Sequence, residues 1–216
     1  MVLVGRATRV QRFVMALEKT YEVEARFGAV SSTGDPEGEI VETGAVPAGD
    51  LELPVGEVRQ RPPAYSAIKV DGERAYARAR RGEDVEMPER TVTVHEFVEL
   101  SRDGDRRTFR IRCSSGTYVR SLIADLGDAY CTALRRTAIG PFAVADADLD
   151  TIVPLGDALS FLPEVRLGEE EARAAAHGRA VGGDAAGAVR LTDGEGLIAL
   201  AEPREGALKP IVGFRG

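Results

Sequence analysis

Apolar residues at Val10, Phe13, Val14 and Leu17 fall three and four apart, so the spacing predicts a helix over residues 5–19 with one face to bury. The period then changes to two. Tyr21, Val23, Ala25 and Phe27 alternate with polar neighbours, the pattern of a half-buried strand. The run Ser-Thr-Gly-Asp-Pro-Glu-Gly-Glu at residues 32–39 follows as a turn-rich loop. Residues 64–82 read as a hairpin closed by Asp71-Gly72 that runs into a short basic helix. Two more alternating strands are expected at 91–100 and 108–115, divided by the polar turn Ser-Arg-Asp-Gly-Asp-Arg-Arg. After Gly116 the pattern returns to helical spacing, with Val119, Leu122, Ile123 and Leu126 on one face. An extended segment over 132–142 ends at Pro141-Phe142.

Composition shifts between residues 150 and 163, where Pro154 and Pro163 bracket a short apolar stretch. Beyond it lies a small helix at 167–178 with three acids in its first turn, favourable for the helix dipole. Short strands at 188–203 and 209–215, the first turning at Asp193-Gly194, complete a second, mostly β module. Helices and strands interleave without a repeating βαβ unit, so the expected class is α+β. The expected division is a domain over 1–150 and a smaller one over 163–216.

The chain has 216 residues and a net charge of −7. Its longest N-terminal apolar run is followed at once by Arg6 and Arg9, which fits neither a secretory signal nor a membrane span. A cytoplasmic location is expected. Cys113, Cys131, His95 and His177 form no spaced cluster, so no metal site is expected. Charge is unevenly placed. Between Arg59 and Arg81 the local balance is +5, while from Ala143 to the end it is −6. A basic stripe on an acidic body suits a site-directed polyanion binder, because phosphate contacts need local charge. A solvated arginine-rich face would give the same count.

Three segments in order carry a resemblance. The first is Gly5-Arg6-Ala7-Thr8-Arg9 with Lys19-Thr20-Tyr21 and the Thr-Gly-Asp-x-x-Gly loop from Thr33 to Gly38. The second runs from Gln60-Arg61-Pro62-Pro63 through Tyr65, Ser66 and Lys69 to Gly72, Tyr76 and Ala79-Arg80. The third is Cys113-Ser114-Ser115-Gly116-Thr117-Tyr118-Val119-Arg120, then Asp125-Leu126-Gly127 and Ala133-Leu134-Arg135-Arg136-Thr137. Together they resemble the B-type tRNA pseudouridine synthases, the TruB family, over residues 2–142, and the tail resembles that family's PUA-like RNA-binding module more weakly.

The resemblance implies a pseudouridine synthase fold, a mixed and largely antiparallel sheet with flanking helices. It also implies isomerisation of the T-loop uridine of tRNA, U55, with no cofactor, no metal and a monomeric enzyme acting on the T-arm stem-loop. Tyr21 matches the tyrosine that stacks on the flipped base, and Tyr118 the tyrosine near the substrate ring that moves protons. Arg120 matches the arginine that pairs with the catalytic aspartate, and Leu134 an apolar wall of the pocket. Arg61, Tyr65, Lys69, Tyr76 and Arg80 match the stretch that grips the T-loop through phosphate contacts and stacking. Taken singly, Tyr21 is a strand tyrosine, Tyr118 and Arg120 are residues at a helix start, and Leu134 is core; only their joint occurrence points to a site.

The family's Gly-x-Leu-Asp-Pro-x-Ala-Thr-Gly loop would precede Met1. The expectation is therefore a chain truncated at its N-terminus, inactive alone, with apolar surface uncovered and Asp35 serving as a turn residue. The alternative reading is a tRNA-binding or folding-helper protein that kept the RNA grip and lost the chemistry.

Overall fold

The computed structural model describes all of residues 1–216 except Ala64, Ala67, Asp71 and Gly216. Asp71, half of the expected hairpin turn, thus lies outside the described residues. A 3-10 turn at Gly5–Val10 leads into helix α1 (Gln11–Ala16), so the helical period of the first stretch is realised in two pieces. Strand β1 (Lys19–Phe27) follows, then the short pair β2 (Ala29–Ser31) and β3 (Ile40–Glu42). Next come β4 (Gly56–Gln60), the hairpin β5 (Lys69–Val70) and β6 (Glu73–Arg74), and helix α2 (Ala75–Arg80). Strands β7 (Arg90–Asp103) and β8 (Arg106–Cys113) precede helix α3 (Val119–Ala124), β9 (Ala129–Ile139) and β10 (Phe142–Ala143).

The chain divides into two compact units, Met15–Ala145 and Met1–Val14 with Asp146–Gly216. In the first, six strands form one sheet in the order β10-β9-β1-β8-β7-β4, with every neighbouring pair antiparallel. The period-2 pattern decides its faces. Val23, Ala25 and Phe27 of β1 lie beside Phe109, Ile111 and Cys113 of β8 in one buried cluster. Phe97 and Phe109 meet edge to face, ring centroids 5.5 Å apart. Helix α3 closes this side by burying Val119, Leu122 and Ile123, the i, i+3, i+4 set of a single helix face. The other face carries ion pairs such as Arg112 with Glu18 (3.0 Å) and Arg110 with Glu96 (3.9 Å). Val30, Ile40 and Val41 of the β2–β3 pair are exposed.

One inward position breaks the apolar pattern. Arg107, 1% exposed, sits in line with Phe109 and Ile111. Its Nη2 donates to Pro47 O (2.6 Å) and Gly49 O (3.0 Å), Nη1 donates to Glu99 Oε2 (3.0 Å), and its guanidinium lies 5.2 Å from the Phe27 ring centroid. The loop between β3 and β4 is thereby tied to the sheet.

In the second unit, helix α4 (Leu155–Ala158) and strand β11 (Glu164–Arg166) come before helix α5 (Glu169–Ala176). Strands β12 (Val181–Gly182), β13 (Val189–Asp193), β14 (Gly196–Arg204) and β15 (Ala207–Gly213) follow. The sheet order is β11-β13-β14-β15-β12, parallel only at β11–β13. Ala172 and Ala175 of α5 pack with Leu191, Ile198 and Leu208 in its core. The turn after Asp193 forms as expected, with Asp193 Oδ1 accepting from the Glu195 N–H at 2.8 Å. Residues Met1–Val14, placed by the sequence with the first domain, belong to this unit. Arg6 donates to Phe214 O (2.8 Å), Arg9 to Gly213 O (2.7 Å), and Arg12 meets Glu202 at 2.9 Å. A helix face predicted from spacing alone carries no information about which partner it meets.

Candidate active site

The second residue of α3 is Arg120, and the helix starts at Tyr118 in extended geometry after Gly116, whose φ is +86°. A side chain at 116 would be strained by that backbone, and its Cβ would lie 3.3 Å from Arg90 Nη1. Glycine is therefore required where β8 turns into α3. Facing the helix start, the loop between β2 and β3 folds at Gly34, with φ +74° and Arg120 Cβ only 3.3 Å from where a Cβ would sit. The Gly34 carbonyl accepts from the Cys131 N–H of β9 at 3.1 Å, which fixes the loop against the sheet.

These two elements bring Arg120 and Asp35 together. Arg120 Nη1 donates to Asp35 Oδ2 at 2.5 Å and to Thr33 O at 2.9 Å, while Nη2 donates to Tyr65 O at 3.0 Å. Asp35 also accepts from Thr33 Oγ1 (2.6 Å) and from the Glu37 N–H (3.2 Å). It is thus the turn aspartate the sequence implies and, in addition, the carboxylate partner of Arg120. Its neighbours explain its charge. Burial by itself would raise the Asp35 carboxyl, but the Thr33 hydroxyl, the Glu37 N–H and the Arg120 guanidinium outweigh it and hold it below the usual aspartate range.

A carboxyl depressed in the fold adds stability that is fully present above the unfolded-state value, about pH 4, and is lost as pH falls through the lower folded-state value. The expected outcome is that Asp35→Asn flattens the pH dependence of unfolding free energy below about pH 4 and leaves its slope near neutrality unchanged. Urea titrations at several acidic pH values measure it; parallel curves for both proteins in that range would sink the assignment.

A cleft of about 490 Å³ opens beside this ion pair. It is lined by Thr33, Asp35 and Arg120, by Tyr65, Tyr76 and Arg80 of the basic stretch, and by Cys131 to Leu134 of β9. Arg80 lies 5.5 Å from the Tyr76 ring centroid. Burial pushes the Cys131 thiol up to about 12, so it stays protonated at neutral pH. Two aromatic rings, two arginines and two carboxylates, Asp35 and Glu37, surround one opening; the rings can stack a planar base and the arginines can hold phosphate oxygens.

Of the residues singled out by the sequence, Arg120, Leu134, Tyr65, Tyr76 and Arg80 all line this cleft, Leu134 being 44% exposed there. Arg61 lies on the surface with Nη2 3.5 Å from Glu89, and its carbonyl accepts from Ser121 Oγ of α3 at 2.9 Å. Lys69 is exposed on the β5–β6 hairpin. Neither Tyr21 nor Tyr118 belongs to the lining. Tyr21 packs half-buried against the sheet core, where burial, with Cys113 adding and Arg136 opposing, pushes its phenol up. Tyr118 sits under the Arg90 guanidinium, 5.1 Å from its ring centroid, with its backbone held by Gln60. Sequence reasoning set Asp35 down as a turn residue and gave Gln60 and Arg90 no role. Gln60 stood in a quoted segment, but nothing in its spacing revealed its role. Among the described residues no group of three or more His, Cys, Asp or Glu side chains could hold a metal ion, and no helix is long and apolar enough to cross a membrane.

Comparison with known proteins gives the family. The model for the TruB family pseudouridylate synthase N-terminal domain matches residues 1–119. The chain is 41% identical to tRNA pseudouridine synthase B of Thermobifida fusca (strain YX), covering 99% of this chain and 83% of that protein. Against the protein of the same name from Gluconacetobacter diazotrophicus, identity is 37% over 95% of this chain and 80% of the relative. Among solved structures, one of an H/ACA RNP bound to a substrate RNA containing 2′-deoxyuridine superposes with a TM-score of 0.67 at 20% identity, covering 99% of this chain and 71% of that one. A Cbf5–Nop10–Gar1 complex gives 0.65 at 23% identity, with 99% and 70% covered. At such identities the structures speak for the fold, and the close relatives speak for the family. With a family model over more than half its length and relatives matched over nearly all of this chain, the chain belongs to the TruB family of pseudouridylate synthases.

Proposed function

We propose that the protein isomerises a uridine of tRNA to pseudouridine, and that this uridine is the T-loop one. The observation that carries the proposal is Arg120 holding a carboxylate beside a cleft flanked by Tyr65, Tyr76 and Arg80. A uridine flipped from the T-loop enters the cleft, and its base stacks on an aromatic face. The C1′–N1 glycosidic bond breaks, the uracil turns, C1′ bonds to C5, the C5 proton leaves to solvent and N1 takes up a proton in its place. Arg120, which here holds the turn aspartate Asp35, is the guanidinium that would keep the carboxylate acting at C1′ ionised. The resemblance assigns Tyr21 to stacking on the base, Tyr118 to the proton and Leu134 to a pocket wall; of these, Leu134 lines the cleft. The enzyme acts as a monomer in the cytoplasm, and the 163–216 module adds RNA contacts. The relatives' shared enzyme name favours this over binding without chemistry.

Tritium release from 5-labelled uridine in tRNA is the test, run on the 216-residue chain and on the same chain extended at its N-terminus by the family's Gly-x-Leu-Asp-Pro-x-Ala-Thr-Gly loop, with release expected from the extended chain. Site-specific release from the T-loop position is expected; release from another uridine would overturn the specificity. For the grip, replacing Arg61, Lys69 and Arg80 together by alanine is expected to reduce the salt dependence of T-arm binding. The slope of log K against log salt should fall by about 2, near 0.7 per lost phosphate contact. A filter-binding series over salt reads this, and an unchanged slope would remove those three from the interface.

A further inference from the structure

Gln60 closes β4 and Arg90 opens β7, and the two stand directly opposite each other in the antiparallel register. Both converge on one residue. Gln60, 2% exposed, accepts from the Tyr118 N–H at 2.7 Å through Oε1 and donates to the Tyr118 carbonyl at 3.3 Å through Nε2. The amide orientation follows from chemistry, since a backbone N–H can only donate and a carbonyl only accept. Arg90 covers the ring of the same tyrosine at 5.1 Å, and its Nη2 is buried without a hydrogen-bond partner. Gly116, two residues before Tyr118, leaves room for that guanidinium. A buried side chain that spends both amide atoms on the N–H and C=O of one residue fixes the backbone on both sides of it. A cation laid on the ring then restricts the side chain.

We propose that Gln60 and Arg90 are positioning residues that set the Tyr118 ring and hydroxyl for the reaction. This rests on the reading of Tyr118 as the proton-handling group. Because Gln60 also starts the stretch that reaches the cleft at Tyr65, the pair links the RNA-gripping segment to the tyrosine. A misplacement of about 1 Å at a reacting group can cost on the order of 100-fold in rate.

The experiment measures tritium release from T-arm uridine, in the chain extended by the catalytic-aspartate loop, for Arg90→Met, Arg90→Lys, Gln60→Met, Tyr118→Phe and the double variant R90M/Y118F. In parallel, ring signals of the five tyrosines are followed by NMR on the tyrosine-labelled full chain. Arg90→Met and Gln60→Met are expected to lower kcat about 10–100-fold with KM within about twofold, and Arg90→Lys to recover part of the loss. The double variant should be little slower than Tyr118→Phe alone, because Arg90 acts through that hydroxyl. Raised KM at unchanged kcat, or fully additive losses, would overturn the proposal. If Tyr118→Phe turns over normally, the reading of Tyr118 fails instead. The NMR arm then decides the positioning: Tyr118 ring signals displaced in both Arg90→Met and Gln60→Met support it, and signals unmoved in both reject it.

Discussion

Arg120→Met is expected to lower turnover by about 10²–10³-fold, equivalent to ~3–4 kcal/mol of barrier, while T-arm affinity stays within about threefold. The guanidinium makes three hydrogen bonds, two to the β2–β3 loop through the Asp35 carboxylate and the Thr33 carbonyl and one to the Tyr65 carbonyl. Methionine matches the stem and removes all three. A half-buried carboxylate then loses its counter-charge, and the loop carrying it loses its anchor to α3. Unfolding free energy should drop by about 2 kcal/mol, the scale of charge-assisted hydrogen bonds in a partly buried setting. Arg120→Lys should behave much like Arg120→Met, since one ammonium cannot span the three acceptors reached by a planar fork. Single-turnover tritium release and urea denaturation measure the two effects separately. Turnover within threefold of the parent chain would take Arg120 out of the reaction.

Arg107→Met should destabilise the unit formed by Met15–Ala145 by about 3 kcal/mol, with little effect on T-arm binding. Arg107 lies inside the apolar row of β8 and satisfies the carbonyls of Pro47 and Gly49 as well as Glu99. Removing it orphans two carbonyls of the loop between β3 and β4. Glu99 is spared, because Arg102 Nε also donates to it at 2.8 Å. The cost therefore comes from the loop carbonyls and from the lost contact with Phe27, not from an abandoned carboxylate. Denaturant midpoints at constant m-value test this. A loss below about 1 kcal/mol would mean that water satisfies the loop carbonyls once the arginine is gone.

Much of this molecule is legible in its residue pattern. The alternation through Tyr21, Val23, Ala25 and Phe27 located β1 and its buried face, and the spacing of Val119, Leu122 and Ile123 located α3 and the side it packs. Both follow from local geometry, because a strand repeats every two residues and a helix every 3.6. The basic stretch from Arg59 to Arg81 marked a region that contributes Tyr65, Tyr76 and Arg80 to the cleft. The family resemblance in three ordered segments singled out Arg120 and Leu134, which the fold sets beside those residues.

What periodicity does not carry is identity across the sheet or between loops. Asp35 meets Arg120 only because a loop at Gly34 is pinned to β9 and folds over the start of α3, 85 residues further along the chain. Gln60 and Arg90 reach Tyr118 only through the β4–β7 register and the turn at Gly116. Arg107 looks like any polar residue of an alternating strand until the loop at Pro47–Gly49 supplies its acceptors. Residues 1–14 share a unit with the C-terminal strands for a similar reason, since Arg6 and Arg9 find carbonyls of residues 214 and 213. Hydrophobic period specifies which face of an element turns inward, whereas the partner of a buried charge or amide is chosen by whichever distant backbone arrives unsatisfied, and only the folded chain settles that.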